Sequence, residues 1–230
     1  MAKPLVSVVI PVYNGEKFLS ETLKSVFAQD YGFFEVVVVD DGSTDRSAEI
    51  AQSFPAKYVR QANQGHAVAK NRGVEESKGE MLAFLDADDL WHPSKLTVQQ
   101  GRMEANPGWG GSIHYQRLFL EPGTEMPVQF REKRFLEDHA ANIPSALMVW
   151  RPAFEKVGLF DASYVHGNDS DWFFRAKDMG VTVGVVPETL LFRRLHGNNL
   201  TRQTPALRKD LLQAVRASVL RQRGAKGGEA

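Results

Sequence analysis

Short apolar runs alternate with amphipathic stretches through the first half of the chain. Each run is too brief and too apolar for anything but a buried strand, whereas the intervening stretches place apolar residues at helical spacing. The predicted strands cover residues 5–10, 35–39, 57–60 and 81–85, and the predicted helices cover residues 15–29, 46–54 and 65–78. Strand–helix–strand repetition implies right-handed crossovers, so we predict an α/β fold with a mostly parallel central sheet flanked by helices.

The second half has longer loops and a less regular pattern. A helix is predicted from Pro93 to about Ala105, followed by one or two strands over residues 109–120 and a Gly- and Pro-rich loop over 121–127. Further strands are predicted at 145–150, 181–186 and 190–193, and further helices at 152–157 and 169–179. We expect one domain over residues 1–200, then a basic amphipathic helix and tail over 201–230.

Composition narrows the classes of function. The 230 residues include 28 Lys plus Arg and 28 Asp plus Glu, and there is no cysteine. A net charge of zero removes the electrostatic footprint of nucleic-acid binding, so a small-molecule ligand is the better expectation. The lack of cysteine excludes disulfides, thiol nucleophiles, zinc–thiolate sites and Fe–S clusters. Because no apolar run has the length of a signal core or a membrane span, we predict a cytoplasmic protein.

Acidic residues follow two of the predicted strands. Asp40 and Asp41 open the segment DDGSTD after the second strand, and Asp86, Asp88 and Asp89 form DADD after the fourth. Ligands of open α/β sheets bind beyond the carboxyl ends of the strands. Two carboxylates about 4 Å apart repel by roughly 4 kcal/mol at an effective dielectric near 20. The site therefore needs raised carboxylate pKa values or a cation such as magnesium, manganese or calcium, and a cation suggests a phosphate.

Simpler interpretations of these segments remain open. The first can be a turn with a helix cap, and the second can cap the helix after Pro93. The loop at residues 11–15 lacks the G-x-G-x-x-G pattern of dinucleotide-binding folds, and the chain has no P-loop. Phosphate contacts must then come from other residues or from a cation.

The ordered motifs together resemble the inverting glycosyltransferases of family 2, which have the GT-A fold. The matching segments run from about residue 5 to 200 and are VSVVIPVYN at 6–14, VDDGSTD at 39–45, NQG at 63–65, AKNRG at 69–73, KGE at 78–80, FLDADD at 84–89, VGLFD at 157–161 and DSDWFFR at 169–175. Each segment alone is weak, but the ordered set is specific. The resemblance implies that residues 1–106 bind a nucleotide sugar and that residues 107–200 face the acceptor.

The resemblance also implies roles for residues in the first half. Asp86 and Asp88 resemble the D-x-D motif, in which Asp88 binds the metal and Asp86 reaches the ribose or a metal-bound water. Asp41 resembles the carboxylate that accepts a hydrogen bond from uracil. Pro11 and Tyr13 would bind the nucleotide, with the Tyr13 ring packed on the face of its base. As alternatives, Tyr13 can be a core residue at a strand end and Asp41 a turn residue.

Lys70 stands where many relatives carry arginine, and it would offset diphosphate charge unless it is an ordinary exposed lysine. In the second half, Asp169 matches the catalytic base of the family, although Asn168 replaces the usual glutamate. Asp169 can also be a helix N-cap. His196 falls where some relatives supply a further metal or diphosphate ligand, whereas the other five histidines lack such a placement.

The resemblance predicts an enzyme that moves a sugar from a nucleotide diphosphate, with UDP-sugars ahead of dTDP- and GDP-sugars, to an acceptor hydroxyl with inversion. Mn²⁺ or Mg²⁺ would be the cofactor, and the acceptor would be a saccharide or a lipid-linked saccharide. The C-terminal helix would dock on its own domain, on a second copy or on the inner face of a membrane. Two alternatives are a non-catalytic nucleotide-sugar-binding subunit and a metal-dependent nucleotidyltransferase.

Overall fold

The computed structural model describes residues 3–125, 137–197 and 204–227. The described strands are β1 Val6–Val12, β2 Phe34–Asp40, β3 Lys57–Arg60, β4 Met81–Phe84, β5 Leu90–Trp91, β6 Gly111–Leu120, β7 His139–Ala140, β8 Met148–Trp150 and β9 Val183–Leu195. The described helices are α1 Leu19–Phe27, α2 Ser47–Gln52, α3 His66–Glu75, α4 Lys95–Ala105, α5 Arg151–Val157, α6 Asn168–Asp178 and α7 Thr204–Gly227, with a 3₁₀ turn at Pro144–Ala146. The end of the predicted 121–127 loop and the predicted domain boundary at residue 200 lie outside the described residues.

One sheet connects both halves of the chain. Within the described residues its order is β3-β2-β1-β4-β8-β6-β9-β5, and β7 pairs with β6. The strands from β3 to β4 are parallel, as predicted. In the second half β8 runs antiparallel to both β4 and β6, whereas β6 and β9 are parallel. The predicted single α/β domain is confirmed, with a parallel first half and a mixed second half.

The core lies between the first strands and the helices packed on them. Every residue of β1 is buried, which is why its sequence is almost continuously apolar. In α1 the predicted apolar stripe is real, because Leu19, Leu23 and Val26 are all fully buried. The parallel arrangement brings the carboxyl ends of β1, β2 and β4 to the same edge of the sheet.

Two predictions of secondary structure are wrong in detail. The strand predicted at 145–150 begins only at Met148, because Pro144 starts a 3₁₀ turn that the Leu147 N–H closes on the Pro144 carbonyl at 2.8 Å. The two strands predicted at 181–186 and 190–193 are one strand, β9. Its partner β6 shifts register beside Tyr115, so the bulge accommodates Pro187 without ending the strand.

The basic C-terminal helix α7 packs along α6. Its Ala214 and Ser218 are buried, and Asp178 at the end of α6 accepts hydrogen bonds from three α7 side chains. The opposite face exposes apolar side chains, among them Leu212 and Leu220. Among the described helices, none combines the length and hydropathy needed to cross a bilayer. Docking of the exposed face on a membrane or on a second copy stays a prediction.

Candidate active site

The loops that follow β1 and β2 are held together by hydrogen bonds. Asn14, which adopts a positive φ of 50°, donates its N–H to Ser43 Oγ at 2.9 Å, and its Oδ1 accepts the Thr44 N–H at 2.9 Å. Gly42 also has a positive φ, and a Cβ there would lie 3.0 Å from the Asn63 nitrogen. The DGST segment therefore needs glycine at position 42. The hydrogen bonds of Asn14 fix the two loops relative to each other.

Asp41 is buried directly after the end of β2. Its Oδ1 accepts hydrogen bonds from Gln61 Nε2 at 2.8 Å and from the Gln64 N–H at 2.9 Å. Its Oδ2 accepts the Gly65 N–H at 2.8 Å. Asp41 thus fixes the segment that leads into α3, a role beyond that of a simple turn residue.

Tyr13 and Pro11 have different surroundings. Pro11 is buried in β1 opposite Val39, where the strand extends past the end of β4. Tyr13 follows the strand and is 55% exposed, so its ring is not a core residue. An exposed aromatic ring beside the Asp41 loop is available to pack against a flat ligand.

The D-x-D segment lies at the end of β4 and meets the end of β9. Asp88 Oδ2 lies 2.8 Å from His196 Nε2. Arg194 donates from Nε to the Asp88 carbonyl at 3.0 Å, and its backbone N–H donates to Asp89 Oδ1 at 2.9 Å. Burial, with the neighbouring Asp88 carboxylate, raises the pKa of Asp89 well above its usual value. The last residues of β9 therefore hold the acidic loop in place.

Lys70 connects this loop to the second half of the chain. It is buried in α3, and burial lowers the pKa of its ammonium group, an effect that the nearby carboxylates of Asp86 and Asp169 oppose. Burial likewise raises the pKa of Asp86; Lys70 opposes that rise and Asp88 adds to it. Lys70 is therefore not an exposed helix lysine, and its charge lies between two carboxylates from different halves.

Asn168 is fully buried at the start of α6, with both ends of its amide engaged. Its Oδ1 accepts from Lys70 Nζ at 3.1 Å, and its Nδ2 lies 2.7 Å from His66 Nε2. Burial, the Lys70 charge and His166 lower the pKa of His66 to about 3, so the ring is neutral at pH 7 and Nε2 accepts the Asn168 amide N–H. An amide satisfies both neighbours here without adding a charge.

Asp169 is partly buried beside Asn168. Helix α6 begins one residue before it, at Asn168, with Gly167 as the N-cap residue. Asp169 Oδ1 accepts the N–H of Ser170 at 2.8 Å, so the carboxylate does not cap the helix in the expected way. It lies at the first turn, where the helix dipole favours a negative charge.

The donor set at Asp88 fits a cation that is held jointly with a phosphate. Asp88 and His196 supply a carboxylate oxygen and an imidazole nitrogen, which are both metal donors. Within the part of the chain that the structure describes, no three His, Cys, Asp or Glu side chains are grouped to hold a metal. Magnesium is commonly held by one or two carboxylates, with substrate phosphates and waters completing the shell. Asp88 and His196, with Asp86 nearby, fit that arrangement.

A cleft of about 600 Å³ runs along one face of α6. Its lining includes Ser170, Phe173, Phe174 and Lys177 from that helix, and Asn142 from the loop after β7. A second cleft of about 440 Å³ lies along α3 and includes Gln61 and Gln64. The described lining of neither cleft includes Asp86, Asp88 or Asp169.

Comparison with known proteins gives the family. The sequence profile described as Glycosyl transferase family 2 matches residues 7–158. The chain belongs to glycosyltransferase family 2. An uncharacterized glycosyltransferase of Rickettsia typhi is 30% identical over 211 residues, which cover 86% of this chain and 66% of that protein. Uncharacterized glycosyltransferase EpsJ of Bacillus subtilis is 28% identical over 237 residues, covering 94% of this chain and 69% of EpsJ. This family 2 chain thus spans about two thirds of the length of these relatives.

Solved structures share the fold of this family 2 chain. S. aureus TarS 1–349 in complex with UDP matches with a TM-score of 0.72 at 20% identity, over 94% of this chain and 64% of TarS. The mannosyltransferase PcManGT from Pyrobaculum calidifontis, in complex with GDP-Man and Mn²⁺, matches with a TM-score of 0.74 at 21% identity, over 95% of this chain and 65% of PcManGT. The GT-A-type fold that the motifs predicted is confirmed.

Several contacts at the site had no signal in the sequence pattern. His66 lacked a motif of its own, although it directly follows the NQG segment and opens α3. Ser145 accepts the N–H of Asp86 at 3.1 Å, and Gln61 holds Asp41. Their roles depend on contacts between residues far apart in the chain.

Proposed function

We propose that this family 2 glycosyltransferase moves a sugar from a nucleotide diphosphate donor to an acceptor hydroxyl by a metal-dependent single displacement with inversion. The observation that carries the proposal is the hydrogen bond from the buried Lys70 Nζ to Asn168 Oδ1 at 3.1 Å, because it joins α3 to the start of α6 directly before Asp169. In this proposal the contacting pair Asp88 and His196 faces the diphosphate, and Asp41 with the exposed ring of Tyr13 faces the base.

Each residue has a distinct part in the proposed reaction. The Asp169 carboxylate accepts the acceptor proton while the acceptor oxygen bonds to the anomeric carbon and the bond from that carbon to the diphosphate oxygen breaks. Attack opposite the leaving group inverts the configuration. Lys70 places a positive charge near the diphosphate. A cation at Asp88 and His196, when bound, would stabilise the charge of the departing diphosphate.

UDP-sugars are the proposed donors, by resemblance and because an acceptor position on Asp41 suits the ring N–H of uracil. TarS structures contain UDP and UDP-GlcNAc, whereas the PcManGT structure contains GDP-Man. A GDP-sugar is therefore the donor against which UDP-sugars are compared. The acceptor is proposed to be a saccharide or lipid-linked saccharide that approaches along the α6 cleft, whose two phenylalanines can pack on sugar rings.

The donor and the metal are tested by thermal shift with UDP-GlcNAc, UDP-glucose, dTDP-glucose and GDP-mannose, each with Mn²⁺ and with EDTA. A UDP-sugar should raise the melting temperature most, and more with Mn²⁺, because ligands stabilise the state that binds them. Asp88→Ala should lose the gain from Mn²⁺ and keep its fold. The control is Glu49→Ala, which removes an exposed carboxylate on α2. Equal UDP-sugar binding in EDTA would contradict metal dependence.

The proposed base is tested with Asp169→Asn, which keeps the size of the side chain but cannot accept the proton. Turnover should fall by about 10²–10⁴, the usual effect of a positioned base, while donor affinity stays nearly unchanged. Asp161→Asn, at an exposed aspartate just outside the site, is the control. If Asp169→Asn keeps more than about a tenth of wild-type transfer, well above that expected loss, another residue is the base.

The alternatives predict different products. A non-catalytic binding subunit would release no nucleoside diphosphate to water, and a nucleotidyltransferase would release pyrophosphate from a nucleoside triphosphate. The replacement of the usual glutamate by Asn168 would favour a non-catalytic subunit if it were a sign that the site had lost its catalytic contacts. The hydrogen bonds from Lys70 and to His66 argue for a built site instead. Nucleoside diphosphate released from the donor is the product that would identify a transferase.

A further inference from the structure

Helix α7 reaches the segment that directly precedes the proposed base. The His166 N–H donates to Asp210 Oδ2 at 2.9 Å, and these residues are 44 positions apart. A Cβ at Gly167 would lie 2.8 Å from Asp210 Cβ, so a larger residue at 167 would push the helix away. The chain thus has glycine where α7 approaches the backbone most closely.

The other end of α6 is held by the same helix. Asp178 accepts from Ser218 Oγ at 2.9 Å, from Arg221 Nε at 2.8 Å and from Gln222 Nε2 at 2.8 Å. The α7 residue that contacts the start of α6 precedes, along the chain, the α7 residues that contact the end of α6. The two helices therefore lie side by side and run in the same direction. Helix α7 therefore fixes α6 at two points, roughly 15 Å apart along its axis at 1.5 Å per residue.

The contact of Asp210 with His166 and Gly167 lies next to the residues proposed to carry out the reaction. Gly167 is the N-cap of α6, and glycine has more backbone freedom than any other residue. Asn168 and Asp169 follow it immediately, so a rotation at Gly167 would move both side chains. Small displacements of a catalytic group have large effects on rate. The hydrogen bond from the His166 N–H to the Asp210 carboxylate anchors the backbone just before Gly167, and the close approach of Asp210 Cβ to Gly167 leaves little room for that rotation.

We propose that Asp210 is a positioning residue, which fixes the start of α6 through the His166 amide and thereby holds the Asp169 carboxylate in its reactive position. This inference rests on the proposed function, in which Asp169 accepts the proton. It gives the C-terminal helix a part in turnover although Asp210 touches neither substrate nor reacting atoms.

The kinetic test measures release of nucleoside diphosphate, with UDP-GlcNAc and GDP-mannose as donors and water as acceptor. Asp210→Ala should lower kcat by about 10- to 100-fold with little change in the donor KM, because the base is displaced and the donor site is not. Asp210→Asn should recover much of the rate, because its amide oxygen can accept the His166 N–H. Lys209→Ala, at the exposed neighbour on the same helix, should match wild type.

A double variant separates positioning from general destabilisation. If Asp210 acts through Asp169, Asp169→Asn with Asp210→Ala should be no slower than Asp169→Asn alone. If the two losses multiply, or if Asp210→Ala matches Lys209→Ala, the inference is wrong. If Asp169→Asn alone keeps its activity, it is the proposed base that is wrong.

Hydrogen exchange gives a readout that is independent of activity. Exchange at the His166 amide and over residues 161–171 should be faster in Asp210→Ala than in Lys209→Ala, and unchanged exchange would overturn the inference. Gly167→Ala is the second variant if Asp210→Ala does not fold. It keeps Asp210 but forces α7 away, and it should produce the same loss of kcat and the same faster exchange.

Discussion

At the scale of single residues, the Asp41 carboxylate holds the fold and still has an acceptor position to spare. An ionised carboxylate offers about four acceptor positions. The N–H groups of Gln61 and Gln64 use two on Oδ1, and the Gly65 N–H uses one on Oδ2. One acceptor position remains on Oδ2, and under the proposed function this is the position that would accept the N–H of the base.

Asp41→Asn should weaken UDP binding by about 1–3 kcal/mol, because an amide nitrogen cannot accept a hydrogen bond. At the Oδ2 position that nitrogen would face both the Gly65 N–H and the N–H of the base. Pyrophosphate, which lacks a base, should lose much less affinity. Calorimetric titration with both ligands gives the comparison. Equal losses for UDP and pyrophosphate would show that Asp41 acts only by holding the loop.

Lys95 is a buried titratable residue that the proposed mechanism does not use. Its Nζ lies 3.7 Å from the centre of the Trp91 ring and has no hydrogen-bond partner among the described residues. Burial lowers the pKa of Lys95 well below its usual value. The unfolded state therefore binds the proton more tightly than the folded state, and stability rises with pH up to about 10.4, the pKa of a free lysine.

Lys95→Met should raise the free energy of unfolding at pH 7 by about 1–3 kcal/mol, because the unsatisfied amine is replaced by an apolar chain of similar length. The rise in stability between pH 7 and pH 9.5 should shrink in the variant. Urea denaturation at both pH values measures this. A variant that is less stable at both, with the wild-type pH dependence, would mean that Lys95 has a partner in solution.

At the scale of elements, a strand could be predicted where the sequence pattern within the strand itself determines it. The strands β1, β2 and β4 are buried on both faces and could be found from their composition alone. The two-residue strands β5 and β7 have no periodicity to detect. The bulge that lets β9 pass Pro187 is decided by pairing with β6.

The same distinction applies to the candidate site. Asp41, Asp86 and Asp88 could be predicted because each follows a strand, and parallel strands place such residues at one edge. The contact of His66 with Asn168 could not, because 102 positions separate them. The geometry of a local motif is encoded nearby, whereas a buried amide is satisfied by whatever tertiary packing brings to it.

At the scale of the whole molecule, polar side chains join the two halves. Asn71 Nδ2 donates to the Phe160 carbonyl at 2.8 Å, and Asn71 Oδ1 accepts the Phe160 N–H at 2.9 Å. One side-chain amide therefore pairs with both backbone groups of a residue, as a neighbouring strand would. It lies next to Lys70, which makes the second link, to Asn168.

Asn71→Ala should lower the free energy of unfolding by about 1–3 kcal/mol, because both backbone groups of Phe160 lose their partner. Glu75→Ala, on an exposed position of the same helix, should stay within about 0.5 kcal/mol of wild type. Urea denaturation monitored by tryptophan fluorescence compares the two. Equal stability of both variants would show that water replaces Asn71 at no cost.

The pairing of β5 with β9 has a consequence for synthesis of the chain. Leu90 pairs with Phe192, and Asp88 meets His196 across 108 positions, whereas β1 and β2 pair residues much closer in sequence, such as Val6 with Phe34. Contacts between distant residues form late, because the intervening chain must first be ordered. On the ribosome, the parallel half can begin to form while β9 is still being translated. The contacts of the acidic loop with Arg194 and His196 can therefore form only after β9 has been synthesised.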